Sequence, residues 1–213
     1  MAYGFLDIAM TPSVKAAQVA NGSAGVYQNF RGHREFDRFA AADKEFIAAR
    51  NSFYLATVSE TGWPYVQHRG GPTGFLKVLD DRTLACADFR GNRQYISLGN
   101  FSAQDKACLF LMDYPNRTRM KIYVHAEARS LEQSPDLMEQ LALPGYKAKV
   151  ERALVFHLET FDWNCPQHIT PRFTEEELSQ ALAPVKERIA ALEEENRRLK
   201  ERLAAGESHA DVR

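Results

Sequence analysis

The chain has 213 residues, 45% hydrophobic and 26% charged, with a formal net charge of −1. That composition fits a folded globular protein with one substantial domain and an appendage, and the near-zero charge gives no support to a nucleic-acid partner. The opening MAYGFLDIAM lacks a basic n-region and a long apolar core, no run approaches the ~18 apolar residues of a membrane helix, and Cys86, Cys108 and Cys165 form no CxxC or zinc-like cluster, so a cytoplasmic protein with reduced thiols is expected.

In chain order, residues 1–40 read as a helical arm. Thr11-Pro12-Ser13 starts a helix with proline in its first turn, and Asn21-Gly22-Ser23-Ala24-Gly25 breaks it. Asp43 can cap a short helix reaching Arg50. The β-rich body, residues 41–173, begins at 53–59, rich in aromatic and β-branched residues, and returns at 64–68 after a tight connection. Short β-like runs follow at 74–79 and 83–87, joined by Asp80-Asp81-Arg82. Residues 94–101 have helical spacing, and 106–112 form a continuous apolar run typical of a buried strand. A long strand is expected over 119–129, a short helix opened by Ser134 over 135–141, and a last strand over 153–162. Six or seven short antiparallel strands in nearly sequential order point to a barrel, which removes exposed edges.

Residues 174–213 differ in kind. Thr174-Glu175-Glu176-Glu177 is a capping box, and Pro184 should kink or restart the helix it opens. Beyond it, Val185, Ile189, Leu192, Asn196, Leu199 and Leu203 alternate in steps of four and three. That is a heptad seam with Ile189, Asn196 and Leu203 at a and Val185, Leu192 and Leu199 at d. Isoleucine at a with leucine at d favours two parallel strands, and a lone asparagine at a fixes register. The bland alternative is an amphipathic helix packed on its own body. The narrow stripe favours the coiled coil, because a docking helix carries a wider apolar face.

The segment from Arg69 to Asn100 carries the strongest chemical signal. Glycine- and arginine-bearing loops, Gly70-Gly71-Pro72 and Arg90-Gly91-Asn92-Arg93, flank its two short strands. Glycine lets backbone N–H groups approach a ligand, and arginine forks onto phosphate oxygens. Arg93 stands just before a predicted helix, whose free N–H groups favour an anion; a solvated turn is the plainer reading. Lys77 lies among apolar neighbours and can neutralise a phosphate. Trp163 is followed by Asn164, Gln167 and His168, donors able to read the edge of a planar ligand. His68, His125 and His157 fall on predicted strands with no metal-like spacing. No HExxH, GxSxG, P-loop or GxGxxG pattern is present.

With these segments the chain resembles the pyridoxamine 5′-phosphate oxidase-like, FMN-binding split-barrel family, in its bacterial flavin-nucleotide-binding branch. The matching runs are FYLATVSETG (53–62), HRGGPTGFLK (68–77), ADFRGNRQYISLGN within 82–100, and FDWNCPQHITPRF (161–173). The resemblance implies a mainly β fold with flanking helices, a six-stranded antiparallel split β-barrel, and a homodimer with FMN at the subunit interface. Under it, Gly71, Pro72 and Thr73 lie along the flavin and Lys77 closes the first FMN motif. Ala87 and Asp88 touch the cofactor, and Arg93, helped by Asn92 and Arg69, grips the phosphate. Arg119 and Met120 reach the isoalloxazine from the partner, and Trp163, Asn164, Gln167 and His168 lie near the ring. The chain departs from the oxidase where Pro72 replaces an arginine, with Arg69 or His68 nearby, where Gln94 replaces a lysine, and where Met120 replaces a glutamine. The oxidase's terminal RxHxR is absent. The expected function is therefore an FMN-dependent oxidoreductase or flavin reductase on a small substrate other than pyridoxamine phosphate. F420 or haem (through His68 or His168) is the alternative cofactor, and a flavin-binding sensor or scaffold the non-enzymatic alternative.

Overall fold

Alternation along the strands builds the body. In strand β1 (Ser52–Val58), Phe53, Leu55 and Thr57 point inward. In β5 (Lys106–Asp113) the inward set is Ala107, Leu109, Leu111 and Asp113, and in β6 (Thr118–Ser130) it is Met120, Ile122, Val124 and Ala126. Such a period of two is what a sheet with one face on a core requires. The remaining strands are β2 (Pro64–Gly70), β3 (Lys77–Val78), β4 (Thr83–Phe89) and β7 (Val150–Trp163). This computed structural model describes residues 4–28, 36–163 and 166–210.

The seven strands form one sheet in the order β2-β1-β5-β6-β7-β4-β3, and every recorded pairing is antiparallel. The expected six-stranded split barrel is therefore corrected to a seven-stranded open sheet, with β2 and β3 at its edges. The physical reason lies in the chain between those edges. After Gly70 it leaves the ladder: Gly71 N–H donates to Asn51 O at 3.0 Å, Phe75 N–H to Pro72 O at 3.0 Å, and Gly74 N–H to Arg50 O at 3.1 Å. Most of the strand expected over 74–79 is spent on this turn, leaving two residues of β3. Side chains nonetheless wrap one core. Phe53 of β1 stacks on Phe75, which precedes β3, at 5.7 Å between centroids and meets Phe156 of β7 edge-on at 6.1 Å.

Helices cover the sheet. The body carries α1 (Phe5–Ala9), α2 (Pro12–Ala20), α3 (Ala24–Gln28), α4 (Ala41–Ala48), α5 (Ile96–Ala103) and α6 (Pro135–Gln140). Thr11 Oγ1 caps α2 by accepting from Val14 N–H at 3.3 Å, and Gly22 ends that segment at φ 71°. Asp43 accepts from Ala40 N–H at 2.8 Å, closing the start of α4 from inside its first turn. At the other end, Arg50 donates to Phe46 O, Met112 O and Asp113 at 2.9–3.1 Å, tying α4 to β5. Against the outer side of β4 and β7, α6 packs Leu137 and Leu141 onto Ala85, Ala87, Ala153 and Val155. The body comprises residues 1–169.

Residues 170–213 are a second unit, dominated by α7 (Glu175–Ala210). The capping box is formed as expected. Glu177 N–H donates to Thr174 Oγ1 at 3.2 Å, while Thr174 N–H donates back to the Glu177 carboxylate at 2.7 Å. The helix runs unbroken through Pro184. No helix among the described residues is long and apolar enough to cross a membrane.

Candidate functional site

The arginines of the signal segment converge where the two ends of the sheet approach one another. Arg69, at the end of edge strand β2, forms an ion pair with Asp88 of β4, although the two strands share no ladder. Asp88 is buried and also faces Arg152 Nη1 at 3.4 Å. The chain of charges continues outward. Arg152 Nη2 lies 3.3 Å from Glu151, and Glu151 accepts from Arg90 Nε at 2.6 Å and from Tyr95 OH at 3.3 Å. The Arg90 bond, aided by Tyr95, holds the Glu151 carboxyl below its usual value despite a desolvation cost. The Arg152 guanidinium sits 5.0 Å from the centre of the Tyr95 ring. Three arginines are set against two carboxylates, so this network is positive before Arg93 is counted.

Arg93 lies on the loop between β4 and α5, with φ 60°, and Tyr95 follows with φ 52°. Left-handed backbone is costly for residues with a Cβ. Here it turns the chain sharply into α5. An Asn92–Gln94 turn supports it, with Gln94 N–H donating to Asn92 Oδ1 and Asn92 Nδ2 to Gln94 Oε1, each at 3.1 Å. Arg93 is exposed and, among the described residues, has no ion-pair partner.

Two hollows adjoin this loop. One of about 50 Å³ is lined by Gln67, Arg69, Asp88, Asn92, Arg93 and Ser97, among others. The other, about 200 Å³, includes His68, Gly70, Phe75, Cys86, Ala87 and Tyr146, and Gln67, Arg69, Phe89 and Gly91 border both. Together they fall just short of the ~300 Å³ at which small-molecule pockets usually begin. Ser97 fixes the floor by donating to Gln67 Oε1 at 3.1 Å. Burial pushes the Cys86 thiol up to about 12, so it stays protonated and is no nucleophile at neutral pH. A larger recess, about 540 Å³, lies elsewhere, between α1 and the outer face of β1, β5 and β6. It lacks arginine, and the basic loop is the better anion site.

Of the residues singled out in sequence, the fold gathers Arg69, Ala87, Asp88, Asn92 and Arg93 around the two hollows. Arg69 and Asp88 are already engaged with each other. Gly71, Pro72 and Thr73 form the turn beneath α4, and Lys77 sits on β3 opposite Ala85. Gln94 is exposed on the loop beyond the lining. Arg119 lies on β6 with its guanidinium 5.9 Å from the Phe110 ring centre. Met120 is fully buried in the core, opposite Leu111 and Trp163. Trp163 braces β7 against α4, its Nε1–H donating to Asp43 at 3.1 Å and its ring meeting Phe46 at 4.6 Å. Gln167 and His168 are exposed in a turn, and Asn164 lies outside the described residues. Sequence reading missed Gln67, Ser97 and Tyr146, because only the curl of the sheet brings these scattered polar residues to one place. Among the described residues no group of three histidine, cysteine or carboxylate side chains is placed to hold a metal.

The sequence profile described as pyridoxamine 5′-phosphate oxidase matches residues 39–160, more than half of the chain. No curated protein matches. Similar solved structures include HupZ of Group A Streptococcus, 15% identical over 63% of this chain and 99% of that one with a TM-score of 0.46. An FMN-binding protein of Syntrophomonas wolfei is 18% identical over 73% and 97%, with a TM-score of 0.44. A Clostridium acetobutylicum protein related to general stress protein 26, of the pyridoxinephosphate oxidase family, is 15% identical over 64% and 94%, with a TM-score of 0.43.

Proposed function

Because the chain belongs to the pyridoxamine 5′-phosphate oxidase family, we propose that it binds FMN without covalent linkage and acts as a homodimeric oxidoreductase or flavin reductase on a small substrate. The observation that carries the reading is Arg93: a guanidinium without an ion-pair partner among the described residues, poised by a left-handed turn on the rim of a polar hollow whose other arginine, Arg69, is paired. Arg69 cannot serve as freely, since Asp88 occupies it. Arg93 would hold the phosphate with Asn92, and Ala87, Cys86 and Tyr146 would border the part of the ligand reaching the wider hollow. When bound, the flavin would supply the hydride and electron chemistry. The chain's own contribution is to bind, orient and set local charge, and no side chain at the site is assigned as a nucleophile.

A homodimer fits two observations. The hollows of one chain are small and open, as expected of a site that a second copy completes. The outer face of β2, β1 and β5 also carries Val66, Tyr54, Ala56, Val58, Cys108 and Phe110 without full burial, an apolar surface of the kind interfaces cover. Absorbance of the purified protein and titration with FMN test the cofactor. Arg93→Ala should weaken FMN about 10- to 100-fold, the worth of a charged hydrogen bond of about 1.5–3 kcal/mol, and leave riboflavin, which lacks the phosphate, unaffected. Failure of the wild-type protein to take up FMN, or a Soret band in its spectrum, would overturn the assignment.

A further inference from the structure

The family match ends at residue 160, and α7 lies wholly beyond it. We propose that α7 pairs in register and in parallel with α7 of a second copy of this chain, through a seam running from Leu178 to Leu203. The sequence seam began after Pro184. The unbroken helix adds Leu178 and Leu182 to it, because Pro184 falls at heptad position c. There its missing N–H lies on the outer side and leaves the seam intact. The a positions become Leu182, Ile189, Asn196 and Leu203, and the d positions Leu178, Val185, Leu192 and Leu199. These 26 residues span about 39 Å at ~1.5 Å per residue. The seven apolar members are 39–67% exposed.

Charge says what covers them. The ion pairs recorded along the helix all lie on the outward b, c and f positions: Glu194 with Arg197 and Arg198, and Arg197 with Glu201. The charges flanking the seam, Arg188 and Glu195 at g and Glu193 and Lys200 at e, have no partner among the described residues. In a parallel pair, Arg188 meets Glu193 of the second copy and Glu195 meets Lys200, both attractive. An antiparallel pair with full overlap also satisfies the charges, joining Lys186 to Glu193 and Arg188 to Glu195. Asn196 separates the two arrangements. In parallel it faces its own amide; in antiparallel it faces Val185, and although Asn196 Nδ2 donates to Leu192 O of its own helix at 3.2 Å, its Oδ1 is then buried with no donor.

The experiment uses the full-length protein. Leu199→Cys (d) and Glu201→Cys (f) are each oxidised mildly and run without reductant, with the wild type and its three cysteines as the blank. Paired d positions come within disulfide reach and outward f positions do not, so Leu199→Cys should accumulate a linked dimer and the other two should not. A Leu182→Cys chain co-expressed with a Leu199→Cys chain of different size should give only like-with-like links. Equal linking of the Leu199 and Glu201 variants would remove the seam from any interface between copies. A mixed 182–199 link would establish the antiparallel pair and overturn the proposal. Circular dichroism confirms that each variant keeps its helix. The readout does not depend on flavin, so its failure leaves the cofactor assignment standing.

Discussion

Asp113 illustrates how single groups set the pH range of the fold. Burial alone would raise its carboxyl, but hydrogen bonds from Asn116 and Arg50 outweigh that and hold it below its usual value. A carboxyl depressed in the folded state contributes stability in full above its unfolded value, and that contribution is lost as pH falls through the lowered folded value. Asp113→Asn should therefore cost about 2 kcal/mol at neutral pH, the scale of a charged hydrogen bond. The gap from wild type should narrow as pH falls through the lowered folded value and the native carboxyl protonates. Thermal unfolding at pH 7 and at acid pH reads this, and a gap independent of pH would refute it. The same reasoning separates Arg69 from Arg93. Both are arginines close to glycines in the sequence. The first is neutralised by Asp88, while the second has no counter-charge among the described residues.

At the scale of elements, the turn after β2 decides how the sheet is cut. A Cβ built on Gly71 would lie 2.8 Å from Cγ of Phe75, and that ring cannot yield because it is buried and stacked on Phe53. Gly71→Ala should therefore destabilise the body by about 1–3 kcal/mol, the usual cost of overpacking, as read by denaturant unfolding. An unchanged midpoint would mean the turn is looser than described. The other strands and helices were largely legible, because alternation and caps are local signals: β5, β6, β7, α2 and the start of α7 fall where apolar periodicity and capping residues put them. The strand expected over 74–79 was misread because Phe75 and Leu76 are buried by a turn packed under α4 rather than by ladder pairing. For Trp163 the sequence leaves two roles open for a related reason. An aromatic at a strand end looks the same in sequence whether it lines a ligand or braces a helix, and here its indole N–H goes to Asp43.

For the whole molecule, the two proposed pairing surfaces, the sheet face and α7, can be separated by mutation. Leu192→Glu with Leu199→Glu should abolish pairing through α7 yet leave a dimer by light scattering, held by the sheet face. Adding Val66→Glu, at an exposed position on that face, should bring the mass to that of a monomer and lower FMN uptake with it. A double variant already monomeric would place all association in the tail. By itself the sequence determined most of the elements, the family and the heptad seam, since each is written in spacing along the chain. Only the tertiary structure decided that the sheet stays open with seven strands, that Arg69 is spent on Asp88, and which scattered residues share the basic hollow. Those outcomes depend on contacts between residues far apart in sequence, whose partners are chosen when a curled sheet closes on one core.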